Sequence, residues 1–196
     1  MKKLHLIVEG DGDAEAVPIL IRKILAKYEL FHILLTKPQI SGDVNKSRKR
    51  FDDFFLYALK NQCPILWVLD CDDKEVGCPV EHVNHFATKM NSLYLPNKQP
   101  LEFAFFVQEF ESLFLAEADA LKTYYDLADD CMIDPNAAKR RDAKGEIAKL
   151  LPKNRGYKET IDQAKITDRL NLATCNLVSR DYRHLESAVL RLCSQE

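Results

Sequence analysis

The sequence lacks most of the features that mark a specialised class of protein. No apolar run approaches the roughly 20 residues that a helix needs to span a bilayer. The apolar run near the start, residues 4–8, is too short for the hydrophobic region of a secretion signal. Glycine is scarce, 6 of 196 residues, and no repeat or Gly/Ser linker divides the chain. We therefore expect a globular protein that stays in the cytoplasm.

The six cysteines form no CxxC pair and are scattered through a chain large enough to have an apolar core. In a reducing compartment such cysteines are usually free thiols packed as small apolar side chains. One alternative is a structural zinc site, because four suitable ligands follow one another in the sequence: Cys71, Cys78, His82 and His85.

Apolar runs alternate with helical periods over the first half of the chain, which predicts an α/β fold. Four runs are typical of strands buried on both faces: residues 4–8, 31–36, 64–69 and 102–107. We expect a helix after each of the first three strands, the first beginning near Asp13 with Pro18 close to its start, the others over residues 46–61 and 80–93. Such alternation implies a parallel sheet of about four strands with helices on both faces.

From Glu109 onward the pattern is helical only, with predicted helices at 110–126, 136–151, 167–175 and 181–193. We therefore predict an α/β core over residues 1–108 and a helical extension over 109–196 that packs on it. Together they are expected to form one compact domain.

Charge is separated along the chain although the net charge is only -2. Residues 102–134 contain nine acids and one base, so their net charge is -8; residues 139–183 contain twelve bases and six acids, so theirs is +6. This pattern predicts an acidic pocket beside a rim that attracts phosphate, unless both segments are ordinary solvated helix faces. A second basic cluster lies near the start of a predicted helix: Lys46, Arg48, Lys49 and Arg50.

Acidic residues follow three of the four predicted strands: Glu9 the first, Asp70 and Asp72 the third, Glu109 and Glu111 the fourth. The carboxyl ends of parallel strands meet at one edge of a sheet, where ligands of α/β proteins bind. Carboxylates crowded there repel one another and need protons or a bound cation. Oxygen ligands suit Mg²⁺, so this edge is a predicted site for a divalent metal.

Some of these acids have ordinary explanations. Asp13, at the expected helix start, is either a cap or a further metal ligand. Glu111 is either a ligand or an acid favoured by a helix N-terminus, and Asp73 is expected to face solvent. Two other motifs fail: residues 9–15 carry Glu15 where a dinucleotide-binding loop needs its third glycine, and residues 70–75 lack the glycine of an EF-hand.

Glu-Gly after the first strand and Asp-x-Asp after the third resemble the TOPRIM domain of topoisomerases, primases and nucleases of the overcoming-lysogenization-defect type. VEGDGDAEAV, with Glu9 and Asp13, resembles the form found in those nucleases. QEFESLFLAE and RGYKET are similar to segments of a family of small stand-alone TOPRIM-like bacterial proteins. The fold resemblance covers about residues 1 to 110, and the family resemblance nearly the whole chain.

The resemblance implies hydrolysis of nucleic-acid strands with Mg²⁺ or Mn²⁺, in a setting of defence against phage or mobile DNA. Glu9 would bind metal or accept a proton, Asp70 and Asp72 would hold metal, and Asp13, Glu109 and Glu111 are further candidate ligands. A base of the C-terminal segment, Lys153, Arg155 or above all Lys158, would stabilise negative charge. DNA or RNA is the expected partner, beside a protein encoded nearby. Two alternatives remain open: a non-catalytic module that binds nucleic acid or protein, and a phosphotransferase for small molecules.

Overall fold

The structure, a computed structural model, describes residues 2–72, 78–95, 99–128, 130–134 and 136–194. Asp73, expected to face solvent, lies outside these residues. The strands are β1 (Lys3–Val8), β2 (Leu34–Leu35), β3 (Gln39–Ile40), β4 (Ile65–Cys71) and β5 (Leu101–Val107). The helices of the first half are α1 (Asp11–Lys27), α2 (Val44–Lys49), α3 (Phe51–Leu59) and α4 (Pro79–Ser92).

After β5 the described chain is helical. It forms α5 (Ser112–Ala116), α6 (Ala118–Tyr125), a 3₁₀ turn (Ala137–Lys139), α7 (Ala143–Leu150), a π-helical turn (Glu159–Gln163), α8 (Ala164–Arg169), α9 (Leu172–Val178) and α10 (Arg180–Cys193). The predicted helices at 110–126 and 136–151 are thus each shorter and interrupted. The helix predicted at 167–175 is also divided, because Asn171 caps a new helix there by accepting hydrogen bonds from the backbone of Ala173 and Thr174.

The strands form one parallel sheet in the order β2–β1–β4–β5, with β3 also pairing with β1. β2 pairs with the start of β1 and β3 with its end, so together they make one interrupted edge strand. The prediction of an unbroken strand over 31–36 was wrong. Pro38 lies between the two short strands and has no N–H to donate to the ladder, which explains the interruption.

The first helix begins at Asp11, ahead of the expected start near Asp13. Pro18 therefore lies about two turns inside α1, where it cannot donate the usual hydrogen bond to the preceding turn. The helix predicted over 46–61 is also two helices, α2 and α3, which meet at Arg50. This turn lets Phe51 and Phe55 of α3 pack against the sheet, where both are fully buried.

Side chains alternate between the two faces of the sheet and build two apolar cores. Leu6, Leu66 and Phe106 face α1 and the C-terminal helices, in a core that extends to Val189 of α10. On the other face, Trp67 and Phe86 lie in the core formed with α3 and α4. One core thus contains residues from both sides of residue 108; that boundary itself stays a prediction. Among the described residues, no helix is both long and apolar enough to cross a membrane.

Trp67 is the centre of the second core. Its ring stacks on the rings of Phe51, Phe86 and Phe103, with a centroid distance of 5.6 Å in each case. Its Nε1 donates to Ser41 Oγ at 3.2 Å. The side chain therefore ties β4 to the loop that follows β3.

We expect Trp67→Ala to lower the free energy of unfolding by about 3–5 kcal/mol, because it leaves a cavity among aromatic rings. Trp67→Phe keeps most of the packing and loses one hydrogen bond, so its cost should be nearer 1 kcal/mol. Urea denaturation of both variants and the wild type measures the difference. Equal losses for the two variants would contradict this account.

Candidate metal site

The predicted site lies where the order of the strands reverses. The chain leaves β1 for the edge strand and then crosses to β4 on the other side of β1. The carboxyl ends of β1 and β4 therefore border the crevice in which open α/β sheets bind ligands. Glu9 directly follows β1, and Asp70 is the last residue but one of β4.

Glu9 and Asp70 meet across these strand ends. Oε2 of Glu9 accepts a hydrogen bond from the backbone N–H of Asp70 at 3.2 Å, although the two residues are 61 positions apart. Burial raises the pKa of Glu9 to about 7, and the hydrogen bond opposes this rise. Repulsion from Asp13, Asp72 and Asp43 raises the pKa further. Glu9 thus lies within a group of acids that come from three separate stretches of chain.

Asp13 is a helix cap, and its role as a metal ligand stays a prediction. Its Oδ2 accepts the backbone N–H of Gly10 at 3.1 Å and so caps the start of α1. Its Oδ1 accepts Nε2 of Gln163 at 2.9 Å. Burial raises its pKa, and repulsion from Glu159 adds to the rise. The carboxylate is therefore held by the C-terminal half of the chain while remaining close to the other acids.

Gly12 permits this contact with the C-terminal half. A Cβ atom at this position would lie 2.3 Å from Gln163 Oε1 and 2.6 Å from Cγ of Glu159. Both are closer than atoms can approach, and Gln163 is itself buried. Only glycine lets the π-helical turn pack directly on the first turn of α1.

The two acids after β4 have different environments. Asp70 is only 8% exposed, and its Oδ1 accepts the backbone N–H of Phe110 at 2.9 Å. Burial raises the pKa of Asp70 well above its ordinary value, with further repulsion from Asp13, Glu9 and Glu111. Asp72 lies just beyond the strand and is exposed. Asp70 is thus the buried centre of the cluster, and Asp72 lies at its solvent side.

The two acids after β5, Glu109 and Glu111, have different hydrogen-bond partners. Glu111 is completely buried, and its Oε1 accepts the hydroxyl of Tyr157 at 2.7 Å. Burial raises its pKa to about 7. Its Oε2 has no hydrogen-bond partner among the described residues. Glu109 instead accepts the backbone N–H of Lys144 at 3.1 Å, at the start of α7.

Lys144 is the cation that pairs with these acids in the described part of the chain, and no sequence pattern singled it out. Its Nζ lies 2.9 Å from Glu159 Oε2 and 3.9 Å from Glu111 Oε1. Burial disfavours the charge, but attraction to Glu111, Glu159 and Asp70 outweighs it and raises the pKa of Lys144. Lys158, by contrast, is exposed, and its backbone N–H donates to Asp162. Its ammonium group forms no ion pair with an acid in the described part of the chain.

Asp43 and Glu159 were also missed. Asp43 follows the short strand β3, which was not expected as a separate strand, and caps α2 by accepting the backbone N–H of Lys46. Glu159 lies in a turn that only tertiary packing brings to the site. The signal that could have identified Asp43 is that it closely follows a strand. It is thereby placed at the same edge of the sheet as Glu9 and Asp70.

The donor chemistry suits a hard divalent cation. The cluster offers carboxylate oxygens, which Mg²⁺ and Mn²⁺ prefer, and leaves Oε2 of buried Glu111 without a partner. Burial raises the pKa values of Glu9, Asp70 and Glu111, and repulsion from neighbouring acids adds to the rise; a bound cation would stabilise the charged carboxylates. Within the described ranges, however, no three His, Cys, Asp or Glu side chains already form a metal-binding group.

The same finding applies to the alternative zinc site. His82 is buried and stacks on Phe105 at a centroid distance of 5.7 Å. Cys71 is buried and Cys78 is exposed. Within the part of the chain that is described, these side chains do not join in a group of three ligands.

The parallel sheet, the helices on both faces and the acids at one sheet edge define a TOPRIM-like α/β protein. The C-terminal region of the OLD protein of Xanthomonas campestris pv. campestris has a similar fold, with a TM-score of 0.50, 12% identity, and coverage of 99% of this chain and 97% of that one. The corresponding region of the Burkholderia pseudomallei OLD protein matches with a TM-score of 0.46, 11% identity, and coverage of 98% and 97%.

The chain belongs to the family described as "Domain of unknown function (DUF4276)", which matches residues 8–189. No curated protein matches the sequence. The predicted resemblance to proteins of the overcoming-lysogenization-defect type is confirmed as a likeness of fold over the whole chain.

The pKa of Glu9 predicts a stability that depends on pH. A carboxyl group with a raised pKa stabilises the folded protein fully below its ordinary value of 4.5, and this contribution is lost as the pH rises through about 7. We therefore expect the melting temperature of metal-free protein to fall between about pH 5 and pH 8. In Glu9→Gln the fall should be smaller.

Thermal unfolding in EDTA at constant ionic strength measures this. Glu81→Gln, at an exposed position on α4, is the matched control and should follow the wild type. A Glu9→Gln protein that lost stability as steeply as the wild type would rule out Glu9 as a source of the pH dependence.

Lys144 is expected to stabilise the site when no metal is present. Lys144→Met leaves Glu111 and Glu159 without their cation and should cost about 1–3 kcal/mol at pH 8. Lys149→Met, on the same helix, removes only an exposed ion pair with Glu146 and should cost under about 1 kcal/mol. Chemical denaturation in EDTA compares them, and equal costs would show that Lys144 has no special role.

Proposed function

We propose that this protein is a metal-dependent nuclease that hydrolyses phosphodiester bonds with Mg²⁺ or Mn²⁺. The observation that carries the proposal is the contact of Glu9 with the backbone of Asp70, which joins the ends of two adjacent parallel strands. Charge from Asp13, Asp72 and Asp43 acts on the same carboxyl group. The likeness of fold to the OLD C-terminal region supports the proposal.

Asp70 and Asp72 would hold the metal, together with Glu9 or Asp13. Glu111 is the best candidate for a further ligand because Oε2 is buried without a partner. Glu109 is less suited, since its carboxylate already accepts a hydrogen bond from α7. When bound, the cation would supply positive charge against the attacked phosphate and make water more acidic.

Glu9 is suited to proton transfer because its pKa of about 7 lies near neutral pH. Lys144 is placed to stabilise negative charge, since its ammonium group lies between two acids of the site. We assign it this role in place of Lys158, which is exposed and forms no ion pair with an acid in the described ranges. Defence against phage or mobile DNA remains the setting that the resemblance implies.

The test is cleavage of supercoiled plasmid and of single-stranded RNA with Mg²⁺ or Mn²⁺. Glu9→Gln and Asp70→Asn should each lower the rate by about 10- to 100-fold or more, because each removes a metal-directed carboxylate. Glu81→Gln and Asp119→Asn are isosteric controls at exposed positions and should cleave as the wild type does. Unchanged cleavage in both site variants would reject the proposed site.

A second candidate is a non-catalytic module that uses the same fold for binding. It is favoured by the absence of a ready three-ligand group among the described residues and by Lys144, which already neutralises part of the acidic charge. Titration calorimetry with Mn²⁺ separates the two. The nuclease should release heat that Glu9→Gln abolishes, whereas the module should bind no metal at any concentration near the millimolar range.

A further inference from the structure

A basic cleft lies between α2 and α4, on the face of the sheet opposite α1. It encloses a cavity of about 320 Å³ lined by Asn45, Arg48, Lys49, His85 and Lys89. Among the residues that the structure describes, no acidic side chain contributes to this lining. We call this feature the α2–α4 cleft.

Helix geometry explains why these side chains converge. Asn45, Arg48 and Lys49 are three and four residues apart on α2, so they share one face of that helix. His85 and Lys89 are four residues apart on α4 and likewise share a face. Burial of Val44 and Ser47 under α2 turns the basic face outward. The cleft therefore forms where the basic faces of α2 and α4 meet.

The charges of the cleft are not neutralised by the acids that the structure describes. Nε of Arg50 lies 2.9 Å from Oδ2 of Asp53, and Arg50 does not line the cavity. Arg48, Lys49 and Lys89 form no ion pair with any carboxylate in the described ranges. Three cations facing one cavity repel one another, so an anion bound there would be stabilised.

The position of the cleft connects it to the acidic site. α2 begins directly after Asp43, whose charge raises the pKa of Glu9. Arg48 lies five residues further on, about 7 Å along the helix axis. A polyanion that reaches the acidic edge is repelled there unless positive charge nearby holds it. A chain of phosphates fits both places at once, whereas a single small anion would use only the cleft.

We infer that the α2–α4 cleft binds the phosphate backbone of a single-stranded nucleic acid, through Arg48, Lys49 and Lys89. This inference rests on the proposed function for its class of ligand, since the nucleic acid that binds at the acidic site would extend from there into the cleft. Binding itself needs no metal and no cleavage.

The test is fluorescence anisotropy with labelled single-stranded DNA and RNA in EDTA, over a range of salt concentrations. The variant is Arg48→Gln, Lys49→Gln, Lys89→Gln. Removing three phosphate contacts should lower the salt slope by about 2, which corresponds to roughly 100-fold weaker binding near 0.1 M salt. The matched control is Arg22→Gln, Lys122→Gln, Lys165→Gln, with the same change of charge on the opposite face.

Loss of affinity and slope in the cleft variant alone supports the inference. Equal weakening in both variants, no weakening in either, or no binding by the wild type overturns it. Binding of inorganic phosphate or a mononucleotide as tightly as the oligonucleotide also overturns it, because the cleft would then be a small-anion site. Absence of metal-dependent cleavage with this binding intact would reject the nuclease and leave the cleft, so the two failures are distinguishable.

Discussion

Repulsion between carboxylates at one sheet edge is the constraint on which the site depends. Glu9 and Asp70 are drawn together because parallel strands β1 and β4 are neighbours and both end there. Burial makes each charge costly, and two backbone N–H groups, those of Asp70 and Phe110, repay only part of that cost. Protonation relieves this cost, which is why the pKa values of both carboxyl groups are raised; in our proposal a bound cation would relieve it in the same way.

The C-terminal helices complete the site as well as the apolar core. Gln163 holds Asp13, Tyr157 holds Glu111, and Lys144 lies between Glu111 and Glu159. The close packing of Gln163 and Glu159 on α1 depends on Gly12, where a Cβ atom would lie 2.3 Å from Gln163 Oε1. π-helical turns often occur at functional sites, and this one brings two polar side chains against the first turn of α1.

The two faces of the sheet have different electrostatic character. The segment after β5 brings an internal cation, Lys144, into contact with acids, whereas the basic face of α2 is directed away from them toward open solvent. The acidic segment 102–134 and the basic segment 139–183 are separated along the sequence, but the structure brings Glu111 of the first and Lys144 of the second together. Low net charge over the whole chain hides this separation.

The sequence by itself determined the elements whose signals are local. Buried runs such as residues 64–69 predicted their strands, and the acids after three of the four predicted strands indicated a shared edge, because the carboxyl ends of parallel strands meet there. The break at Pro38 and the start of α1 at Asp11 were less clear, since polar first turns carry no apolar period. Only the tertiary structure decided that Glu109 and Glu111 have different hydrogen-bond partners. It also decided that Asp43 acts on the pKa of Glu9 and that Lys144 pairs with Glu111 and Glu159. Those outcomes depend on long-range packing of helices, and periodicity along one segment carries no information about which distant side chain will face it.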